Sequence, residues 1–249
     1  MKVSIITVCK NAQDTIERTI KSVINQDYKN IEYIIIDGKS TDKTLSIINK
    51  YKNKISVVIS EPDSGIFEAM NKGIRFSTGK IVNFLNAGDL FYKNIVISRI
   101  VRLFEKHNPG IDIVYGDAIL YDQNNQRNYV LKSHKYVDRI SLARWSICHQ
   151  AMFTKKSVFN KYGDFNYMYK VNGDYEWLLR STYLKKISFF YTNQVIVKYL
   201  IGGSSWSGNR SKFYHERITI AVKYYGLFRF IVNNLIMRIR GKKLYFIVH

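Results

Sequence analysis

"VSIITVCKNAQDTIERTIKSVINQDYKNIEYIIIDGKSTDKT", residues Val3 to Thr44, sets two short β-branched runs on either side of a segment with helical period. Within "TIERTIKSVINQ" the apolar Ile16, Ile20, Val23 and Ile24 share one helical face. The flanking "VSIITVC" and "IEYIIID" are continuous apolar runs, not alternating ones, which is how a strand covered on both faces reads. The pattern then repeats. "STDKTLSIINKY" offers cap-type residues and a second helix, "ISVVIS" a third strand, "SGIFEAMNKGIRFS" a third helix and "KIVNFLNAGD" a fourth strand. Strands interleaved with helices predict an α/β fold: a doubly wound, mainly parallel sheet flanked by helices.

Two carboxylates close strands in this half, Asp37 after "IEYIII" and Asp89 after "NFLNAG". In doubly wound sheets, ligands bind beyond the carboxyl ends of the strands, near a topological switch point. Both acids therefore belong to one candidate site. The competing reading is that each merely caps the helix that follows, since Asp is a favoured N-cap. Spacing alone leaves the two readings level.

Beyond Leu90 the pattern changes. "IDIVYGDAILYD" reads as a strand, and "QNNQRNYVLKSHKYVD" as a hairpin or loop. "VNGDYEWLLRSTYL" leads into a helix and "SFFYTNQVIVKYL" into a strand. From Asn209 onward, basic and bulky apolar residues mix without turn signals, predicting a helical C-terminal appendage. The expected organisation is a catalytic-type domain over 1–208, with halves at about 1–90 and 91–208, and a basic amphipathic extension over 209–249.

The chain has 249 residues and carries 39 Lys and Arg against 19 Asp and Glu, a formal charge of +20 that suits an anionic partner. Its amino terminus runs straight into a strand with no leader pattern. No stretch of about 18 apolar residues would span a membrane. Cys9 and Cys148 lack metal-type spacing and read as reduced thiols of a cytosolic protein. Neither a phosphate-binding Walker loop nor GxGxxG occurs, which removes support for ATP or dinucleotide use.

The run from Val3 to Thr44, followed in order by "SEPDSGIFEAMNKGI" and "FLNAGD", resembles the family-two glycosyltransferases of GT-A fold. Within that family it is similar to the bacterial branch that builds surface polysaccharides such as O-antigen and capsule. The likeness covers residues 2 to about 205. It implies that Thr7, Cys9, Lys10 and Asn11 lie at the nucleotide-contacting end of the first strand, and that Asp37 accepts from the uracil ring of a UDP-sugar. Asp63 and Gly65 would line the nucleotide sugar. Asn86 would stand by the donor, and Asp89 would be the last acid of the metal motif. Here that motif reads Asn86-Ala87-Gly88-Asp89, with one carboxylate where the family has a pair. A hard divalent ion, Mn²⁺ or Mg²⁺, takes oxygen ligands and keeps waters, so one Asp with diphosphate oxygens could complete its shell.

The same resemblance makes Asp174 in "NGDYEWLLR" the general base of an inverting transfer. Glu176 competes for that role, although on a helix it would point away from Asp174. His149 and Gln150 in "ICHQAMF" resemble an acceptor-side segment, with a satisfied structural His as the other reading. Trp206 could stack on a sugar within "LIGGSSWSGNR", a stretch that reads equally as a closing loop or a plain connection. Trp177 could do the same, but core packing suits it better. The expected partners are a UDP-sugar donor, a polyprenyl-diphosphate-linked saccharide acceptor and an anionic membrane surface met by residues 209–249, with no nucleic acid. That places the protein at the cytoplasmic face of the membrane. Two alternatives stand beside this one. A sugar-nucleotide nucleotidyltransferase would want a Gly-rich basic loop where "CKNAQD" stands. A basic nucleic-acid-binding protein is allowed by charge and aromatic content, but its basic residues are dispersed.

Overall fold

The computed structural model describes residues 1–107, 109–122, 127–143, 145–184, 187–200, 210–239 and 246–248. β1 (Val3–Cys9), β2 (Ile31–Asp37), β3 (Val57–Ser60) and β4 (Ile81–Phe84) form a parallel set in the order β3-β2-β1-β4. The chain thus winds outward from β1 to β3, then returns to the other side of β1. That reversal creates a switch point between the ends of β1 and β4, where side chains beyond the carboxyl ends converge.

The helices take the periods expected of them. α1 (Ile16–Ile24) buries Ile16, Ile20 and Val23, and α4 (Val96–Lys106) buries Ile97, Ile100, Val101 and Phe104. Both pack with Val3, Ile5, Tyr33 and Ile35 on one face of the sheet, where the partly buried Leu45 and Ile47 of α2 (Thr44–Lys50) join them. The alternate residues Ile6, Val8, Ile34 and Ile36 face α3 (Ile66–Phe76), α6 (Lys156–Tyr162) and α7 (Gly173–Leu184) on the other. One apolar strand therefore feeds two cores, which is why "IEYIIID" has no polar alternation.

Past β4 the sheet is mixed. β8 (Met152–Lys155) runs antiparallel to β4 and to β6 (Ile113–Asp122), which pairs antiparallel with β7 (Arg127–Leu131) and parallel with β9 (Phe189–Leu200). β5 (Leu90–Phe91) pairs with β9. A short helix, α5 (Arg139–Leu142), lies between β7 and β8.

The C-terminal region is helical over α8 (Arg210–Tyr225) and α9 (Leu227–Ile239), broken at Gly226. α8 buries Ile220, Ala221 and Tyr225 against Leu142, Ala143, Tyr175 and Leu179, so it joins the body through a third apolar cluster. The last described residues, Phe246–Val248, form a strand, β10, paired with β7 where a helix was expected.

Trp177 belongs to the core. It is fully buried and stacked on Phe159 with ring centroids 4.7 Å apart, and its indole N–H donates to Gly163 O at 2.8 Å. Trp177→Ala is expected to cost about 3–5 kcal/mol of stability, the range for emptying a buried aromatic site. Urea unfolding checks this; a much smaller loss would take the indole out of the core.

Candidate active site

Cys9 and Asp37 end neighbouring strands in register, with Cys9 Sγ 3.6 Å from Asp37 Oδ1. Burial first, and then the nearby carboxylates of Asp37, Asp42 and Asp63, push the Cys9 thiol far above its ordinary range. The Asp37 carboxylate is fully buried. It accepts from the Ser40 hydroxyl, from Ser40 N at 2.9 Å and from the Ser60 hydroxyl at 2.7 Å. Asn11 has a left-handed backbone and accepts from Thr41 N at 2.9 Å, clasping the β1 and β2 loops together. Thr7, expected at the nucleotide, has no exposed surface. Its hydroxyl donates to Leu85 O at 2.7 Å and lies 3.1 Å from Tyr33 OH, so its side chain ties β1 to the segment entering the Asn86–Asp89 turn and does not reach the open rim.

Asp63 accepts from Gly65 N at 3.0 Å, and Gly65 precedes the first residue of α3. Lys72 steadies this loop, donating to Pro62 O at 2.7 Å and pairing with Glu61 at 2.9 Å. Ser64 N donates to Glu68 at 2.6 Å. Sequence reading missed Lys72, whose signal was its i,i+4 spacing from Glu68.

The Asn86–Asp89 turn closes with Asp89 N donating to Asn86 O at 3.0 Å. Gly88 takes φ +102° there, and a Cβ on it would meet Leu200 Cδ2 at 2.9 Å, so only glycine suits the position. Thr19 on α1 pins the turn: its hydroxyl accepts from Gly88 N and donates to Asp89 O, both at 2.9 Å. The Asp89 carboxylate is 3% exposed and accepts from Gln150 Nε2 at 2.9 Å and Leu200 N at 3.1 Å. Gln150 is itself oriented by the Cys148 thiol, which donates to its Oε1 at 3.0 Å. Burial lifts that thiol to about 12, so it keeps its proton for this bond.

Asn86 Nδ2 stands 3.0 Å from His149 Nε2, and His149 Nδ1 stands 3.1 Å from Asp174 Oδ2. With the amide donating to Nε2, the ring proton sits on Nδ1 and is donated to the carboxylate. Asp174 Oδ1 accepts from Tyr175 N at 2.8 Å. The residues named as metal motif, acceptor segment and base therefore meet in one line. Asn83 on β4, three residues before Asn86, donates to both Gln150 O and Met152 O at 2.9 Å. Its signal was a lone amide inside an apolar strand. At the far end, a Cβ on Gly173 would lie 2.7 Å from the Phe67 ring, so glycine lets the start of α7 close on α3.

Glu176 is not part of this group. It is buried, paired with Arg180 Nε at 3.1 Å, and accepts from the Tyr224 hydroxyl of α8. The helical turn that points Asp174 at His149 points Glu176 toward α8. Trp206 and the 201–209 loop lie outside the described residues.

Among the described residues no group of three or more His, Cys, Asp or Glu could by itself hold a metal ion. The donor set still fits a hard divalent ion that brings other oxygens with it. Asp89 offers carboxylate oxygens, and Asn86 Oδ1 is buried with no hydrogen-bond partner.

Residues 4–173 match the sequence profile of Glycosyl transferase family 2. The chain belongs to that family. It is 29% identical over 199 residues to a PGL/p-HBAD biosynthesis glycosyltransferase of Mycobacterium bovis (strain BCG / Pasteur 1173P2), covering 79% of this chain and 75% of that one. An uncharacterized glycosyltransferase of Mycobacterium tuberculosis (strain ATCC 25618 / H37Rv) is 30% identical over 181 residues, 72% of this chain and 68% of its own. Two solved structures share the fold. S. aureus TarS 1-349 in complex with UDP-GlcNAc superposes with a TM-score of 0.71 at 17% identity, over 90% of this chain and 66% of that one. The mannosyltransferase PcManGT from Pyrobaculum calidifontis, in complex with GDP-Man and Mn²⁺, gives 0.63 at 16% identity, over 98% and 66%. The chain spans just under two thirds of the length of these solved proteins. The α/β sheet is thus that of a GT-A glycosyltransferase, and the protein is a family 2 enzyme.

Burial raises the Asp89 carboxyl from 3.8 to about 6 against the opposing pull of Gln150, Leu200 N and His149. A folded pKa above the unfolded one means the metal-free fold holds this proton more tightly than the unfolded chain does. The penalty is absent below about pH 4, grows as pH rises to about 6, and is complete above it, at about 3 kcal/mol. Metal-free Asp89→Asn should therefore melt above the wild type at pH 8, with the gap narrowing toward pH 5. Equal or lower melting at pH 8 would show that burial does not strain this carboxylate.

Proposed function

We propose that the protein transfers a sugar from a UDP-sugar to a saccharide acceptor with inversion, in a divalent-metal-dependent reaction of bacterial surface-polysaccharide assembly. The observation that supports this is the Asn86–His149–Asp174 line, which joins the carboxylate read as the base to the turn named for the donor. Asp174 takes the proton of the acceptor hydroxyl as that oxygen attacks the anomeric carbon. The bond from that carbon to the UDP oxygen breaks on the opposite face, and UDP leaves with the electron pair. His149 holds the carboxylate in place, and Asn86 holds His149.

The donor lies along the rim formed by Cys9, Asn11, Asp63 and Gly65, with the buried Asp37 carboxylate behind it. Asp37 is an acceptor-only group fixed by Ser40 and Ser60, which suits the N–H of a uracil ring. Asp89 with Asn86 Oδ1 would hold Mn²⁺ or Mg²⁺. Such an ion, when bound, offsets charge on the departing diphosphate. TarS bound to UDP-GlcNAc and PcManGT bound to GDP-Man and Mn²⁺ support a nucleotide-sugar donor and a metal by analogy of fold.

A lipid-linked acceptor would bring the enzyme to the cytoplasmic membrane face. No helix among the described residues is long and apolar enough to cross a membrane. α8 and α9 instead expose Tyr214, Ile218, Leu227, Phe228, Ile231 and Leu235, with Phe228 at 80%. Residues 209–249 carry nine Lys or Arg and one acid, Glu216, which is engaged inward with the backbone before α7. A basic and apolar composition of this kind suits an anionic bilayer.

Asp174→Asn keeps shape and removes the base, so turnover should fall by about 10²-fold or more while UDP affinity holds. Turnover near wild type would reject Asp174 as base. An α-linked donor should give a β-linked product, read from the anomeric NMR coupling. A panel of nucleotide sugars with Mn²⁺ present, scored by thermal stabilisation, identifies the donor.

Phe228→Glu with Ile231→Glu should abolish retention on anionic vesicles and leave transfer to a soluble acceptor intact. Retention unchanged in that variant would remove α9 as the anchor.

A further inference from the structure

The start of α7 is held from outside by α8. A helix N-terminus leaves backbone N–H groups without intrahelical partners. Just before α7, the donors of Lys170, Val171 and Asn172 are taken by a single carboxylate, that of Glu216. Lys170 N reaches Oε1 at 2.9 Å, and Val171 N and Asn172 N reach Oε2 at 3.0 Å. The carboxylate thus holds the segment leading into α7 from 44 to 46 residues later in the chain, at a helix start whose dipole also favours negative charge.

The grip extends on both sides of Asp174. Asn172 Nδ2 donates to Phe213 O at 3.0 Å, and the Arg217 guanidinium lies over the Tyr175 ring at 3.9 Å. The backbone immediately before Asp174 and the side chain immediately after it are therefore fixed by α8. Asp174 itself is left free to meet His149. Lys170 carries the link further, its Nζ donating to Ser64 O at 3.0 Å in the loop before α3.

We infer that Glu216 is a positioning residue for the reaction, holding the 170–173 backbone so that the Asp174 carboxylate stays in line with His149. This rests on Asp174 being the base. Glu216 lies outside the 4–173 segment that matches the family profile, so it places part of the catalytic apparatus in the C-terminal region. A shift of about 1 Å at a reacting group can cost as much as 10²-fold in rate. Losing the carboxylate should therefore reach turnover before it reaches donor binding.

Glu216→Gln retains the size of the side chain but turns an amide NH₂ toward backbone donors. Its kcat should fall by roughly 10-fold or more, with donor KM and UDP affinity within about twofold of wild type. Hydrogen exchange should quicken at the amides of 170–172 and not across the sheet. In an Asp174→Asn background the same change should lower the residual rate no further, because Glu216 acts through Asp174. Glu216→Asp, which keeps the charge, should recover part of the rate, and it serves as the test protein if Glu216→Gln does not fold. A lower melting temperature with unchanged kcat, or a loss expressed only in donor KM, would overturn the inference. Asp174→Asn separates the two readings: if it is inactive while Glu216→Gln turns over normally, only the inference fails. If Asp174→Asn is active, the base assignment fails first.

Discussion

A polar seam joins the two halves of the sheet, and the site depends on it. Asn83, Asn86 and Asp89, spaced three apart through the end of β4 and the following turn, each bond to the segment from His149 to Met152. Buried amides and carboxylates cost about 1–3 kcal/mol each when left unpaired. A slip of β4 against β8 would orphan several at once, so the seam adds to the register that burial already specifies. The antiparallel β4–β8 pairing, with Asn83 opposite Phe153, follows from this.

The same seam makes the centre electrostatically expensive. Asp89 sits where burial opposes its charge, and it is kept there by one side-chain amide and one backbone N–H. Stability given up at a functional group is a recurrent feature of enzymes, and it needs compensation elsewhere. Two fully apolar faces packed on one set of strands supply that compensation. The carboxylates outside the centre are placed more cheaply, at loop and helix starts where backbone donors await them, as Asp63, Glu68 and Glu216 show.

Much of this was legible in the sequence. Ile16, Ile20 and Val23 announced α1, the continuous apolar runs announced β1 and β2, and the order of motifs carried the family. Asn86, Asp89, His149, Gln150 and Asp174 were all singled out, but nothing in the spacing tells that they touch, because the contact is made across separations of 61 to 63 residues and again of 25. Thr7, set at the nucleotide by the resemblance, sits in the right strand but on its inward face, whereas Glu176 points away from Asp174 as helical spacing requires. β10 was unreadable because its partner, β7, supplies the pairing that makes three residues a strand. Glu216 looked like the lone acid of a basic tail. Its role follows only from where α8 packs.

The residue at position 86 has a consequence for proton traffic. An amide can donate through its nitrogen or, turned over, accept through its oxygen. Here it donates to His149 Nε2 and leaves Oδ1 without a hydrogen-bond partner. The ring proton is thereby left on Nδ1, where Asp174 accepts it. A carboxylate at 86 can only accept. It would demand a proton on Nε2 at all times and set His149 between two anions. The amide at 86 thus fixes the tautomer of the histidine beside Asp174.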